Sequence, residues 1–140
     1  MKAGVLQGLK DIACLEVPDP EPGPDEVLIK VHYCGICGSD IHGYQEGLFP
    51  PGTVMGHEFS GEIIKTGPGV EGISLGERVT VNPADLCGQC RWCRSGQYSL
   101  CPTGMASGIG LGAWQGGMAE CVRARSSQLW KLPEDVTYRQ

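Results

Sequence analysis

The sequence predicts a mainly β domain with short helices and a small zinc-binding lobe. Glycine occurs 22 times in 140 residues and is spread along the chain. This is more than twice its usual share of about 7%, as expected for a chain with many tight turns. Apolar side chains occupy the alternate positions Val27, Ile29 and Val31, a pattern typical of a strand. Residues 85–103 show little apolar periodicity but contain four closely spaced cysteines, so a metal ion would replace a core there.

Each element follows from its local pattern. Strands are predicted over residues 2–6 and 12–17, around a turn at 7–11. The proline-rich segment 18–26 cannot be helical. A strand over 27–32 leads to a glycine-rich turn and a short helix within residues 34–44, with Ser39 or Asp40 as its N-cap. Further strands are predicted over 61–66, 78–81, 119–124 and 129–132.

Size and charge narrow the class of protein. A chain of 140 residues fits one compact domain. The net charge is −5 and the pI about 5.1, a balance that disfavours binding to a phosphate backbone, so we expect no nucleic-acid partner. No apolar stretch approaches about 18 residues, so we expect no membrane span. The first residues lack a signal-peptide pattern, which predicts a cytoplasmic protein.

The cysteine run C-x2-C-x2-C-x7-C is the strongest chemical feature. Four thiolates can fill the tetrahedral shell of one zinc ion, and a closed shell leaves no place for substrate, so this zinc would be structural. A disulfide framework is the alternative for a chain with eight cysteines, but a cytosolic chain favours metal binding. The run consists of Cys87, Cys90, Cys93 and Cys101. Apart from Cys37, the remaining cysteines are interpreted as buried small hydrophobes; they are Cys14, Cys34 and Cys121.

A second group of potential ligands consists of Cys37, His57 and Glu58. A catalytic zinc needs about three protein ligands and one open position. Taken singly, Cys37 could be a core thiol and His57 a hydrogen-bonded core histidine.

Four segments in order resemble the zinc-dependent medium-chain alcohol dehydrogenase family. GHEFSGEIIKTGPGV (56–70) is similar to its signature G-H-E-x2-G-x5-G-x2-V, and CGICGSDIH (34–42) to its catalytic-cysteine segment. Residues 85–101 resemble its structural zinc lobe, and GGMAECVRA (116–124) its G-G-F-A-E-Y strand, with Cys121 in place of the usual aromatic. Within this family, the segment GICGSDIHGYQEG (35–47) is most similar to that of polyol, butanediol and threonine dehydrogenases. The resemblance implies a GroES-like, partly open β-barrel over residues 1–140.

The resemblance also implies an activity: oxidation of a secondary alcohol or polyol to a ketone by zinc-activated hydride transfer to NAD or NADP. Two zinc ions per chain are expected, one structural and one catalytic. Cys37 and His57 would bind the catalytic zinc, and the third ligand would come from beyond residue 140 or be Glu58. In some relatives this glutamate approaches the zinc and in others it lies further out. Both sources of the third ligand, Glu58 and a residue beyond 140, therefore remain open.

The segment around Ser39 is also assigned roles by the resemblance. Ser39 matches the family's hydroxyl that hydrogen-bonds the alcohol and starts the exit of its proton. His42 would continue this relay, with a solvated helix histidine as the alternative. Asp40 matches the carboxylate that orients the zinc-bound histidine, a role compatible with an N-cap.

The domain organisation predicts what the chain does alone. Family members carry a nicotinamide-binding Rossmann domain after this region, and we expect it to be absent here. Gly108, Gly110 and Ala113 satisfy G-x-G-x-x-A only formally and are predicted to form a loop. The chain alone should therefore be inactive, whereas the full-length protein should bind a small alcohol and form a homo-oligomer. The alternatives are an isolated zinc-binding or redox-sensing domain, or a GroES-like interaction module without catalysis.

Overall fold

The fold is mainly β, as predicted. The computed structural model describes residues 1–104, 107–112 and 115–140. Within these ranges the strands are β1 (Lys2–Gly8), β2 (Asp11–Glu16), β3 (Glu26–Gly35), β4 (Glu58–Thr66), β5 (Arg78–Val81), β6 (Cys121–Arg125) and β7 (Leu129–Lys131). The helices are α1 (Gly38–Glu46) and α2 (Arg91–Arg94), with 3-10 turns at Tyr98–Leu100 and Ser126–Gln128. None of the helices in the described part of the chain has the length and apolarity to cross a bilayer.

The larger sheet forms the body of the domain. Its five antiparallel strands follow the order β6-β3-β4-β5-β7 and curl into a half-barrel. Ile29 lies at the centre, opposite Ile63 on β4 and Val122 on β6. The alternation seen in the sequence turns one face of each strand inward. That face and Ile109, which lies outside the strands, build one buried cluster. Its strand members are Val27, Ile29, Phe59, Ile63, Val79, Val81, Val122 and Ala124.

Strand β3 carries two irregularities in its pairing with β4. The register shifts between Leu28 and Ile29 and again between Val31 and Tyr33. Opposite Val31 lies Gly61, where an added Cβ would overlap the carbonyl oxygen of Lys30. The close approach of the two backbones therefore requires glycine at this position.

Strands β1 and β2 form a separate two-stranded sheet. Isolated bridges from Ala3 to Ala119 and from Val5 to Val54 connect it to the rest of the domain. Ala3, Val5 and Val54 build a second buried cluster. The expectation that Cys14 is buried is wrong: this β2 residue is exposed, because β2 pairs with one strand only.

Several element boundaries differ from the sequence-based expectation. Strand β4 begins at Glu58, three residues before the predicted start, because Glu58 pairs with Gly35 at the end of β3. Strand β6 begins at Cys121, and Ala119 contributes only an isolated bridge. The predicted loop over the G-x-G-x-x-A pattern lies in turn, bend and bridge structure at residues 107–112. Its last member, Ala113, lies outside the described residues.

The N-cap of α1 is Cys37, so the prediction of Ser39 or Asp40 is wrong. Asp40 occupies the third helical position, and its Oδ2 accepts a hydrogen bond from the Cys37 backbone N–H at 2.8 Å. The side chain reaches back to the cap residue, as the glutamate of a capping box does. At the other end, Gly47 terminates the helix with a left-handed φ of 74°.

The C-terminal segment, residues 133–140, lies against the larger sheet. The Arg78 guanidinium donates to the carbonyl oxygens of Glu134 and Val136. The Tyr138 ring stacks on His32 with centroids 4.1 Å apart. Arg78 also lies 4.9 Å from the centre of the Tyr138 ring. The segment is thus held on β3 and β5, the two strands that flank β4.

Candidate metal centres

The four cysteines of the predicted run converge on one point. Cys87 lies between β5 and α2. Cys90 is the N-cap of α2, and Cys93 lies within that helix. Cys101 directly follows the 3-10 turn at Tyr98–Leu100. All four sulfurs lie within 4.8 Å of one another. The Cys87–Cys101 and Cys87–Cys93 sulfur distances are 3.7 and 4.0 Å. With zinc–sulfur bonds of about 2.3 Å, a tetrahedron has edges of about 3.8 Å, so the arrangement fits zinc.

The surroundings of these thiols favour ionisation at two of them. Backbone N–H groups, first that of Cys90, lower the pKa of Cys87. The Thr103 hydroxyl, followed by the Cys87 backbone, lowers the pKa of Cys101 to about 5. Burial raises the pKa of Cys93 to about 12. Because the thiolate is the form that binds metals, the hydrogen bonds that lower the pKa values of Cys87 and Cys101 favour metal binding.

The second group sits where β3, α1 and β4 meet. Cys37 caps α1, and His57 and Glu58 stand at the start of β4. One ligand atom from each of the three residues lies within 4.8 Å of the others. His57 is buried whereas Glu58 is exposed. Gly56 before them has a φ of 91°, and a Cβ there would lie 2.6 Å from the Cys34 sulfur. Glycine is therefore needed for the turn that delivers His57.

Asp40 is the buried anchor of this group. Its side chain is 2% exposed. Oδ2 accepts from the Cys37 N–H at 2.8 Å, and Oδ1 accepts from the Gly56 N–H at 3.2 Å. Oδ1 also lies 3.6 Å from His57 Nδ1. One carboxylate thus ties together the two backbone segments that carry the candidate ligands.

Ser39 reaches the same group from the first turn of α1. Its Oγ lies 3.1 Å from His57 Nε2. His57 Nδ1, on the other edge of the ring, is buried and has no hydrogen-bond partner among the described residues. The imidazole is therefore held between the serine hydroxyl and the Asp40 carboxylate.

His42 is not a member of the ligand group. Its side chain is 61% exposed, and its Nδ1 lies 3.0 Å from Glu46 Oε1. His57 and Glu58 line an open groove of about 610 Å³. Tyr138, in the C-terminal segment, also lines this groove.

Sequence reasoning missed two contacts in the second group and one on the neighbouring helix α1. The Gly56 N–H, the packing of Cys34 against Gly56, and the pairing of Glu46 with His42 were not predicted. Only the last left a signal, because an acidic residue four positions after a helical histidine lies on the same face. The other two depend on contacts between β3, α1 and β4.

A curled antiparallel sheet that supports a closed four-thiol site and a separate Cys–His–Glu group is typical of the metal-binding domain of zinc-dependent oxidoreductases. Comparison with family profiles agrees. The profile described as the alcohol dehydrogenase GroES-like domain matches residues 23–134. The chain belongs to this family, which confirms the resemblance and the GroES-like fold predicted from the sequence.

Individual relatives point to the same family. A sorbitol dehydrogenase from Halalkalibacterium halodurans is 46% identical over 136 residues, which cover 94% of this chain and 38% of the relative. An L-threonine 3-dehydrogenase from Pyrococcus horikoshii is 40% identical over 127 residues, 87% of this chain and 36% of the relative. The crystal structure of 2R,3R-butanediol dehydrogenase from Bacillus subtilis matches with a TM-score of 0.87 at 37% identity, covering 99% of this chain and 42% of that one. The chain thus spans about two fifths of the length of these relatives.

Proposed function

We propose that this chain is the zinc-binding catalytic domain of an NAD- or NADP-dependent dehydrogenase that oxidises a secondary alcohol or polyol to a ketone. One observation carries the proposal: the Cys37–His57–Glu58 ligand group is joined by a serine hydroxyl at 3.1 Å from His57 Nε2. A thiol, an imidazole and a carboxylate are all zinc ligands, and three of them leave a position for substrate. A purely structural site would have no use for the hydroxyl.

The residues around the group fit a bound zinc ion. His57 Nδ1 is a buried polar atom without a hydrogen-bond partner among the described residues, and Asp40 Oδ1 lies 3.6 Å from it. A metal-bound histidine usually donates its other ring N–H to such a carboxylate. Asp40 would therefore orient the His57 ring while its bonds to Cys37 and Gly56 fix the backbone.

Each side chain has a defined part in the reaction. When bound, zinc supplies Lewis-acid activation of the alcohol and the nicotinamide supplies the hydride acceptor. Ser39 accepts a hydrogen bond from the substrate hydroxyl and passes its proton on, and His42 carries the proton to solvent. The balance is one hydride to the nicotinamide and one proton to water. The four-thiol site holds the lobe and takes no part in this chemistry.

The relatives support the substrate class. Sorbitol is a polyol, and butanediol and threonine carry secondary hydroxyls. Because the chain spans about two fifths of these relatives, we propose that a nicotinamide-binding domain outside these 140 residues supplies the cofactor. We also propose that the complete protein is a homo-oligomer. A redox-sensing role would need only the four-thiol site and leaves the Ser39–His57 contact without a purpose.

A chimera tests the proposal. This chain would replace the matching segment of the Halalkalibacterium halodurans sorbitol dehydrogenase, and turnover would be measured on a panel of secondary alcohols and polyols with NAD and NADP. We expect turnover in the chimera, none in the 140-residue chain alone, and none after Cys37→Ala. Cys14→Ala, which removes an exposed thiol on β2, should retain turnover. Normal turnover of the Cys37→Ala chimera would remove Cys37 from the ligand set and overturn the proposal.

A further inference from the structure

One face of α1 carries a stripe of proton-exchanging side chains. Ser39, His42 and Glu46 follow the spacing i, i+3, i+7, which places them on the same side of a helix. Ser39 contacts His57 in the ligand group. The side chains of His42 and Glu46 are 61% and 67% exposed. The stripe therefore leads from the ligand group to solvent.

The contact between His42 and Glu46 selects one form of the imidazole. His42 Nδ1 lies 3.0 Å from Glu46 Oε1. An ionised carboxylate only accepts hydrogen bonds, so Nδ1 must be the donor. In the neutral ring the second nitrogen, Nε2, then keeps its lone pair and can accept a proton.

Helix stability does not explain why an acidic residue stands at position 46. Glu46 is the last residue of α1, directly before the C-cap Gly47. A negative charge at the carboxyl end of a helix opposes the helix dipole. The order, histidine first and glutamate four residues later, is also the less favourable one for an ion pair along a helix. The contact needs another reason.

We propose that Glu46 is a positioning residue that completes the proton exit by holding His42 in the Nδ1–H form. This inference rests on the proposed function. His42 Nε2 accepts the proton that leaves Ser39, the ring becomes an imidazolium, and the same proton passes from Nε2 to bulk water. Glu46 keeps its hydrogen bond to Nδ1 throughout, so the ring returns to the receptive form after each turnover. Residues i and i+3 have Cβ atoms about 5–6 Å apart, a gap that one bridging hydroxyl or water can close between Ser39 and His42.

Nuclear magnetic resonance of the zinc-loaded 140-residue chain tests the positioning directly. Long-range 1H–15N correlation of neutral His42 reports which ring nitrogen carries the proton. We expect mainly the Nδ1–H form in the unmodified chain and mainly the Nε2–H form, which an unrestrained histidine favours, after Glu46→Ala. Glu46→Gln should keep much of the Nδ1–H form, since the amide oxygen still accepts. Glu71→Ala, at an exposed residue between β4 and β5, is the matched control and should change nothing.

The chimera supplies an activity readout. Glu46→Ala should lower kcat about fivefold, because water replaces only part of a positioned proton acceptor, and added imidazole buffer should restore the rate. If the unmodified chimera is inactive, the proposed function fails, while the tautomer measurement still decides the role of Glu46. If the chimera turns over and Glu46→Ala changes neither kcat nor the tautomer of His42, the role of Glu46 is overturned and the proposed function stands.

Discussion

Replacing the Asp40 carboxylate with an amide of the same shape should damage both the fold and the second metal site. The carboxylate accepts from the N–H groups of Cys37 and Gly56 and is 2% exposed. In Asp40→Asn one of these N–H groups keeps an oxygen acceptor, while the other faces the new amide donor. A hydrogen bond to a charged group contributes about 1.5–3 kcal/mol, and a buried unpaired donor costs about 1–3 kcal/mol. Since these two contributions overlap, we expect a loss of about 3 kcal/mol in the free energy of unfolding.

The same substitution should weaken zinc binding at the second group about 10- to 100-fold, because His57 loses the carboxylate that orients it. Urea unfolding of the zinc-loaded chain measures the first effect, and competition with a chromogenic chelator measures the second. The four-thiol site should bind as before. Asp135→Asn, at an exposed position of the C-terminal segment, should change stability by less than about 0.5 kcal/mol. A loss below about 1 kcal/mol for Asp40→Asn, together with unchanged zinc affinity, would refute the anchoring role of Asp40.

Three further predictions follow from the fold and the two sites. Cys93→Ser should lower the zinc content of the isolated chain by one ion and remove hydrogen-exchange protection from the lobe alone; uniform loss across the large sheet would show that the lobe is no separate unit. Gly61→Ala should destabilise the chain by about 3 kcal/mol in urea unfolding, because its Cβ overlaps the Lys30 carbonyl; a change under 1 kcal/mol would contradict this contact. In the chimera, Ser39→Ala should lower kcat about 100-fold with the zinc content unchanged; loss of zinc instead would make Ser39 a structural residue.

The positions of the strands were predictable because the alternation of apolar and polar residues within a strand reflects which of its faces is buried. The alternation around Ile29 follows from one face of β3 lying on the core, and no distant contact is needed to recognise it. The four-cysteine run was predictable for a similar reason, since its spacing alone brings the sulfurs together. The closeness of Cys37 and His57 could not be predicted from the spacing of residues along the chain. Only the resemblance to the family predicted it.

The errors arise where a distant contact decides the outcome. Serine and aspartate are both preferred N-cap residues, yet Cys37 occupies the N-cap of α1. The reason is that the Asp40 carboxylate accepts hydrogen bonds from the backbone N–H groups of Cys37 and Gly56. The local sequence does not predict a strand at Glu58, because only its pairing with Gly35, beyond the register shifts of β3, extends β4 to it. Such pairings are set by backbone register, which a single sequence does not record.

The two candidate metal sites differ in what holds them together. In residues 85–103 the buried side chains are Cys93 and Cys101, so the lobe has no core apart from its own ligands. Metal binding there should be coupled to folding. The second group is held by the sheet and by Asp40, whose carboxylate accepts hydrogen bonds from the backbone N–H groups of Cys37 and Gly56. Because protein groups alone form these bonds, we expect removal of zinc from the second group to leave the large sheet folded. Rigid support of this kind suits a site whose open position must meet a substrate.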